Sequence, residues 1–154
     1  MSDFFSYQAK AAASAAPAGD LPRAILGTLA GEDWEHLIRF AARRRFAAGA
    51  TLFRATESDR ALHIIASGEV EITGPGAARV VRGEGEVLGL LSFLDGAPSA
   101  VTATVTAAGP AELLRITPEA LLQLSAWQPR VALELMRDLG AHVAARLRRH
   151  QAAD

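Results

Sequence analysis

The residues that could support acid–base, metal or nucleophilic chemistry are few and widely separated. The four histidines are His36, His63, His142 and His150, and the sequence contains no cysteine. A metal site needs closely spaced His, Cys or carboxylate ligands, and covalent catalysis needs a nucleophile together with its base. Neither pattern occurs, and no GxxxxGK[ST] loop is present to cradle a phosphate. We therefore expect a protein that is not an enzyme and that uses no metal and no cofactor.

The composition is that of one globular domain. The chain has 154 residues, of which 50% are hydrophobic and 21% are charged, and its net charge is −1. This balance creates no overall field that would attract nucleic acid or an anionic membrane. No apolar run approaches the roughly 20 residues of a spanning helix, and the N-terminus lacks the pattern of a signal peptide. We expect a cytoplasmic protein without nucleic-acid binding or membrane insertion.

The first nineteen residues differ from the rest of the chain. Residues 1–19 are rich in Ala, Ser and Gly and show no sustained periodicity, which indicates a flexible arm. Its large side chains are Phe4, Phe5 and Tyr7. These aromatic residues could dock on a partner protein or fold back on their own domain, and the sequence leaves both open.

Two helices are predicted before the strands begin. Asp20 followed by Leu21 and Pro22 is typical of a helix start, and a second amphipathic helix is expected over residues 32–42. The basic run at residues 43–45 lacks the interleaved aromatics of a nucleic-acid patch. We interpret that run as a solvated helix end without a binding role.

The middle of the sequence consists of short apolar segments separated by turn residues. Close spacing of such segments is typical of an antiparallel sandwich or roll. The predicted strands cover residues 51–53, 61–66, 69–73, 78–82, 87–94, 101–107 and 112–116.

Helices return at the C-terminal end. Thr117 and Pro118 provide an N-cap and a first helical residue, and Pro129 opens a longer helix that reaches at least Arg149. The chain ends at Asp154, so we expect no helix-turn-helix after it. Apolar residues recur every four positions on the long helix at Val131, Leu135, Leu139, Val143 and Leu147. This stripe predicts either a dimer seam or packing against the protein's own domain.

Three segments, in this order, carry a family resemblance. They are FAAGATLF from Phe46, ALHIIASGEVEI from Ala61 and GEVLG from Gly85. The chain resembles the cyclic-nucleotide-binding domain found in catabolite activator protein and in cyclic-AMP-dependent kinase. The resemblance implies a mainly β domain: an eight-stranded antiparallel β-roll, also called a double-stranded jelly roll, with N-terminal helices and a long C-terminal helix. We place helices at residues 20–45, the roll at residues 46–116 and the C-terminal helices at residues 117–150 of one domain spanning residues 20–154.

The residues that bind the nucleotide in that family are missing here. The family has a glutamate after the glycine that corresponds to Gly89, and this sequence has Leu90. The family arginine precedes a Ser/Thr-Ala pair, which places Val101 at its position, or Ser99 if the loop is aligned without a gap. No Lys, Arg or His occurs between Gly83 and Leu114. The candidate pocket is formed by Leu88, Gly89, Leu90, Leu91, Ser92, Ser99, Val101, Thr102 and Ala103. We call the segment from Leu88 to Ala103 the cassette.

A buried cyclic phosphate needs a countercharge, and each hydrogen bond to a charged group contributes about 1.5 to 3 kcal/mol. Loss of both partners predicts a loss of a few decades in affinity for cyclic AMP or cyclic GMP. A cation from outside the cassette, such as Arg79, Arg137 or Arg146, could replace the arginine. The apolar cassette could bind an apolar ligand, but we favour an interior filled by side chains.

Two functions follow. The first is an interaction module that binds a protein partner or forms a homodimer through the C-terminal helix; its candidate contacts are Phe4, Phe5, Tyr7, Leu135, Leu139, Val143 and Leu147. The second is a ligand-gated domain that binds a cyclic nucleotide in an unusual way, or another small molecule. The first is our leading hypothesis.

Overall fold

A computed structural model describes residues 31–57, 59–74 and 79–153 of the chain. Eight antiparallel strands form two four-stranded sheets, in the order β1-β8-β3-β6 and β2-β7-β4-β5. The strands are β1 Ala42–Phe46, β2 Thr51–Phe53, β3 Leu62–Ser67, β4 Val70–Thr73, β5 Val80–Arg82, β6 Val87–Leu88, β7 Thr102–Val105 and β8 Ala111–Ile116. The helices are α1 Gly31–Phe40, α2 Leu90–Asp95, α3 Pro118–Trp127 and α4 Pro129–Ala153. The predicted eight-stranded antiparallel roll with a long C-terminal helix is confirmed.

The sheet that contains β3 lies between two other layers. Successive side chains of a strand point to opposite faces of its sheet. Ile64 accordingly joins a core formed with the helices, while its neighbour Ile65 joins a core formed between the two sheets. Both side chains are fully buried, which explains why this strand has a continuous apolar run rather than an alternating one.

Three helices cover the outer face of this central sheet. Trp34 and Leu37 of α1 and Leu124 of α3 are buried there beside α4. The predicted N-cap is confirmed, because Thr117 Oγ1 accepts a hydrogen bond 3.1 Å long from the Ala120 backbone N–H. The buried Asp33 of α1 receives hydrogen bonds from the Arg130 guanidinium of α4. None of the helices within the described ranges is both long and apolar enough to cross a membrane.

The expectation that residues 43–45 end a helix is wrong. Helix α1 ends at Phe40, and the three arginines lie on β1, which pairs with β8 at the edge of the central sheet. Arg43 forms an ion pair with Glu112 across the two strands. Charged residues are common on edge strands because their side chains remain in water, and this run therefore lacks the apolar alternation that identifies a strand. The roll begins at Ala42 rather than at residue 46.

The strand predicted over residues 87–94 is also wrong in its second half. Strand β6 contains two residues, and α2 begins directly after Gly89. Leu90 and Phe93 of this short helix are buried, whereas Leu91 and Leu94 are exposed. This is the spacing of a helix face. A short, continuous apolar run does not distinguish a buried strand from a helix, which is why periodicity alone failed here.

The apolar stripe of α4 divides into two parts. Val131, Leu135 and Leu139 are fully buried against the chain's own domain, and Val143 packs beside them. The prediction that Leu135 and Leu139 contact a partner is therefore wrong, because the central sheet and the other helices already cover both side chains. Leu147 lies beyond this contact and is 58% exposed. The proposed arm at residues 1–19, with Phe4, Phe5 and Tyr7, and the helix start at residues 20–22 lie outside the described residues.

Replacement of Leu139 by alanine should strongly destabilise the protein. Removal of a fully buried leucine side chain loses its transfer free energy and leaves a cavity, which together cost about 2 to 5 kcal/mol. The matched control is Leu122→Ala on α3, where the leucine is 70% exposed and the expected change is within about 0.5 kcal/mol. Urea unfolding followed by circular dichroism measures both variants. Equal stabilities of the two variants would contradict the assigned orientation of α4.

Candidate functional site

A cleft of about 410 Å³ opens between the segment that follows β6, the β4–β5 hairpin and the C-terminal half of α4. Pockets of this size hold small organic ligands in other proteins. Seven of the nine predicted pocket residues line it: Leu88, Gly89, Leu90, Leu91, Ser92, Ser99 and Val101. Thr102 and Ala103 do not, because β7 directs Ala103 into the core between the sheets. A cleft therefore lies at this face of the roll, while buried side chains fill the core between the two sheets.

Gly89 sets the shape of the cassette. Its φ of 74° lies in the left-handed region, and the chain turns there from β6 into α2. A Cβ atom at this position would lie 2.7 Å from the Ala61 carbonyl oxygen, which is backbone and cannot move aside. Glycine is required for both reasons. The cassette backbone thus lies close to the start of β3.

Two hydroxyl groups of the cassette, those of Ser99 and Thr102, are already used within the protein. Ser99 Oγ donates to the Val101 carbonyl oxygen at 2.8 Å and accepts from the Val101 N–H at 3.2 Å. Thr102 Oγ1 accepts from the Ala55 N–H at 2.9 Å. Leu90, at the position of the family glutamate, is buried in the core with the helices. This wall of the cleft therefore offers a ligand mainly apolar surface.

Positive charge reaches the cleft from the opposite side. Arg82 at the end of β5, and His142 and Arg146 on α4, line it. Arg146 was among the cations considered from the sequence, whereas Arg82 and His142 were missed. The only signal for His142 was its four-residue spacing from Arg146, which places both on one helix face. Of the other two cations considered, Arg79 pairs instead with Glu71 at 2.8 Å, and Arg137 does not line the cleft.

These cations influence one another. Burial lowers the pKa of His142 below its usual value, and the neighbouring Arg146, Arg149 and Arg82 lower it further. Burial also lowers the pKa of Arg146, with Arg82 and Arg149 adding to the effect. Like charges disfavour the protonated form, so the smaller part of each shift, which comes from the neighbouring arginines, indicates positive potential at this wall. The carboxylates of Glu86 and Asp95 also line the cleft, and each accepts a hydrogen bond from a nearby backbone N–H.

The carboxylates have defined partners. Glu86 Oε2 accepts from the Gly83 N–H at 2.6 Å, and Glu86 Oε1 lies 3.6 Å from the Arg82 guanidinium. Asp95 Oδ1 accepts from the Ala97 N–H at 2.8 Å at the exposed end of α2. Within the part of the chain that the structure describes, no carboxylate forms an ion pair with Arg146.

A buried polar network supports the strand behind Gly89. His63 Nε2 lies 3.1 Å from Asp59 Oδ2, and Arg115 Nη2 donates to Asp59 Oδ1 at 2.8 Å. The His63 ring lies against the Phe53 ring, and its Nδ1 has no hydrogen-bond partner among the described residues. The hydrogen bond from His63, with that from Arg115, holds the pKa of Asp59 well below its usual range, although burial opposes the shift. The network joins the loop before β3 to β3 and β8.

No metal centre is found at the cleft or elsewhere in residues 31–57, 59–74 and 79–153, where no three His, Asp or Glu side chains lie close enough to bind one ion. The described geometry is that of a small-molecule cleft with an apolar cassette and a cationic helix face.

The sequence model described as "Cyclic nucleotide-binding domain" matches residues 43–126, which is more than half of the chain. The chain belongs to the cyclic nucleotide-binding domain family. The matched residues run from the edge strand β1 through α3 and include the whole cassette. The predicted resemblance is thereby confirmed, and domains of this family are regulatory.

Solved structures agree with this membership. The chain is similar to the catabolite activator protein of Thermus thermophilus, at 28% identity and a TM-score of 0.68, covering 81% of this chain and 58% of that protein. It is also similar to the N-terminal domain of a transcriptional regulator from Streptomyces coelicolor, at 27% identity and a TM-score of 0.66, covering 87% and 94%. A cyclic nucleotide-binding domain from Methylobacillus flagellatus shares the fold at 20% identity and a TM-score of 0.74, covering 95% and 79%. No curated protein sequence matches the chain.

The Asp59 network predicts a specific dependence of stability on pH. The pKa of Asp59 in the folded protein lies below the value of about 3.9 expected in the unfolded chain. Its contribution is therefore present above about pH 4 and is lost as the pH falls below that value. Asp59→Asn should be less stable than the unchanged protein at pH 7, and the difference should shrink at pH 3. Urea unfolding at the two pH values measures this.

Glu57→Gln, at an exposed carboxylate of the same loop, provides the matched control and should change stability little at either pH. A difference between Asp59→Asn and the unchanged protein that is the same at pH 7 and pH 3 would contradict the role assigned to the ionised carboxylate.

Proposed function

We propose that this chain is a non-catalytic regulatory module that does not hold a cyclic nucleotide through the cassette and that acts by association through α4. One observation carries the proposal: the cassette has the family's backbone turn at Gly89 but buries Leu90 where the family has a nucleotide-binding glutamate. We also propose a cytoplasmic location, which fits the absence of cysteine.

A cyclic nucleotide bound in the family's usual position would leave polar groups without partners. A ribose hydroxyl placed in the usual position would meet the apolar wall around Leu90, and the phosphate would find Val101 or Ser99 in place of an arginine. The Ser99 hydroxyl is already engaged by Val101. A polar group buried without its partner costs about 1 to 3 kcal/mol, and a charged group costs more. Two such losses remove a few decades of affinity.

The outer face of α4 carries exposed apolar side chains that suit association. Leu133 is 63% exposed, Met136 is 38% exposed, and Leu147 is also exposed. Leu133, Gly140 and Leu147 are spaced by seven residues, and Met136 lies near Leu133 on the same face of α4. Apolar residues at this spacing form the seam of paired helices. A second copy of this chain fits best, because one stripe can then pair with itself about a two-fold axis.

A ligand-gated domain is the second candidate, and the open cleft favours it. The cleft reaches α4 through His142 and Arg146, so that an occupant would contact the same helix that carries the outer apolar face. A ligand that binds one position of α4 more tightly would shift the population toward that position.

Cyclic nucleotides should leave the thermal stability of the protein almost unchanged. A ligand present at a hundred times its dissociation constant stabilises the folded state by about 2.7 kcal/mol, which corresponds to several degrees in Tm. We expect shifts below about 1 °C with cyclic AMP or cyclic GMP at about 100 µM, measured by differential scanning calorimetry. A relative that binds cyclic AMP is the positive control. A rise of about 5 °C or more would contradict the proposed loss of cassette binding.

Charge on the outer face of α4 should prevent self-association. Met136→Glu and Leu147→Glu place a carboxylate in the proposed apolar seam, and both should sediment as monomers at concentrations where the unchanged protein forms dimers. Leu122→Glu is the matched control, because Leu122 is a strongly exposed leucine on α3 and lies outside the seam. Sedimentation velocity over a range of protein concentrations measures the result. A monomeric unchanged protein, or dimers in all three variants, would contradict the assigned interface.

A further inference from the structure

The two walls of the cleft differ in their chemistry. The cassette wall consists largely of apolar side chains, which include Leu88, Leu91 and Val101. The helix wall carries Arg146 and His142, and Arg82 lies on the adjoining strand. A ligand that satisfies both walls has an apolar body at one end and a negative group at the other. A cyclic nucleotide bound in the family's usual way would instead need its countercharge on the cassette wall.

Arg146 is the best placed cation of the three. No carboxylate of the described residues pairs with it, whereas Arg82 lies near Glu86. Its guanidinium has five N–H donors in a planar fork that matches a carboxylate or a phosphate. Arg82 and Arg149 repel the charge of Arg146, and an anion placed between Arg82 and Arg146 removes that repulsion.

We propose that the cleft binds a small amphipathic organic anion, whose charged group pairs with Arg146 and Arg82 beside His142 and whose apolar body lies on the cassette. This inference rests on the ligand-gated form of the proposed function and supplies the chemical class of the ligand. A carboxylate and a phosphate monoester share the required chemistry. Cyclic nucleotides fit less well, because their ribose hydroxyl groups would lie unpaired against an apolar surface.

Occupancy of this site would be transmitted along α4. His142 and Arg146 lie one turn apart on the helix that carries the exposed Met136 and Leu147. An anion that joins Arg146 to Arg82 ties the C-terminal half of α4 to the β4–β5 hairpin. The ligand therefore orders the segment that presents the outer apolar face, which couples binding to association.

Binding of the anion should also depend on pH through His142. The charged groups around this imidazole are Arg146 and Arg149 on α4, Arg82 on β5, and the carboxylates Glu86 and Asp95 on the cleft wall. A bound anion favours the imidazolium form of His142, so the complex takes up a proton. Because the pKa of His142 in the free protein lies below its usual value, affinity should increase as the pH falls through about 6.5 and below, and His142→Gln should remove that increase.

The experiment uses two acids with matched neutral analogues. Decanoate and 2-naphthoate are titrated into the full-length protein by isothermal calorimetry at pH 7, in parallel with decanamide, 2-naphthamide and cyclic AMP. We expect at least one acid to bind, and its amide to bind at least tenfold more weakly. Arg146→Gln should weaken the acid about tenfold or more, and Arg146→Lys should retain part of the binding.

Arg137→Gln is the matched control, since Arg137 lies on the same helix, is exposed and does not line the cleft. It should bind the acid like the unchanged protein, and the Tm of every variant shows that it is folded. Equal binding of acid and amide, or unchanged binding by Arg146→Gln, would overturn the anion site and leave a ligand-gated cleft of other chemistry. Tighter binding of cyclic AMP than of either acid would overturn the ligand class.

Absence of binding by all five compounds at millimolar concentration would overturn the inference. Sedimentation of the same samples distinguishes this failure from a failure of the proposed function. Dimers that depend on α4 and form without any ligand would still support the proposed interaction module.

Discussion

The structure depends on the burial of one sheet on both of its faces. Strand β3 places Ile64 against the helices and Ile65 against the second sheet, so that both faces of this sheet are buried. Helix α4 must lay Val131, Leu135 and Leu139 on this sheet, which determines the rotation of the helix about its axis. The same rotation leaves Leu133, Met136 and Leu147 in water. A single packing requirement therefore determines which apolar residues stabilise the monomer and which are available for association.

The rotation of α4 also determines the chemistry of the cleft. His142 and Arg146 follow the buried part of the helix and face the cassette, where Arg82 of β5 approaches them. The cassette turns at Gly89, Leu90 is buried in the core, and the Ser99 and Thr102 hydroxyls form local hydrogen bonds. The basic residues that line the cleft lie on α4 and β5 instead. A helix that both lines a cleft and presents an apolar face can connect occupancy with association.

Sequence patterns predicted much of this architecture, and their failures have physical causes. The Thr117 cap and most strands were assigned correctly because local conformation governs them. Residues 43–45 were missed as a strand because an edge strand in water needs no apolar alternation. Residues 90–95 were missed as a helix because a short apolar run has the same composition in either structure. Seven of the nine candidate pocket residues line the cleft, and five of them, residues 88–92, are consecutive around the turn at Gly89.

The sequence by itself determined the family, the order of the strands along the chain and the absence of a basic residue from the cassette, because these properties belong to consecutive residues. Only the tertiary structure decided that a cleft lies beside the cassette, that Arg82 and Arg146 both line it, and that Leu135 and Leu139 belong to the core. Arg82 and Arg146 are 64 positions apart in the sequence. Their proximity follows from the packing of α4 on the roll, which no local pattern of residues expresses.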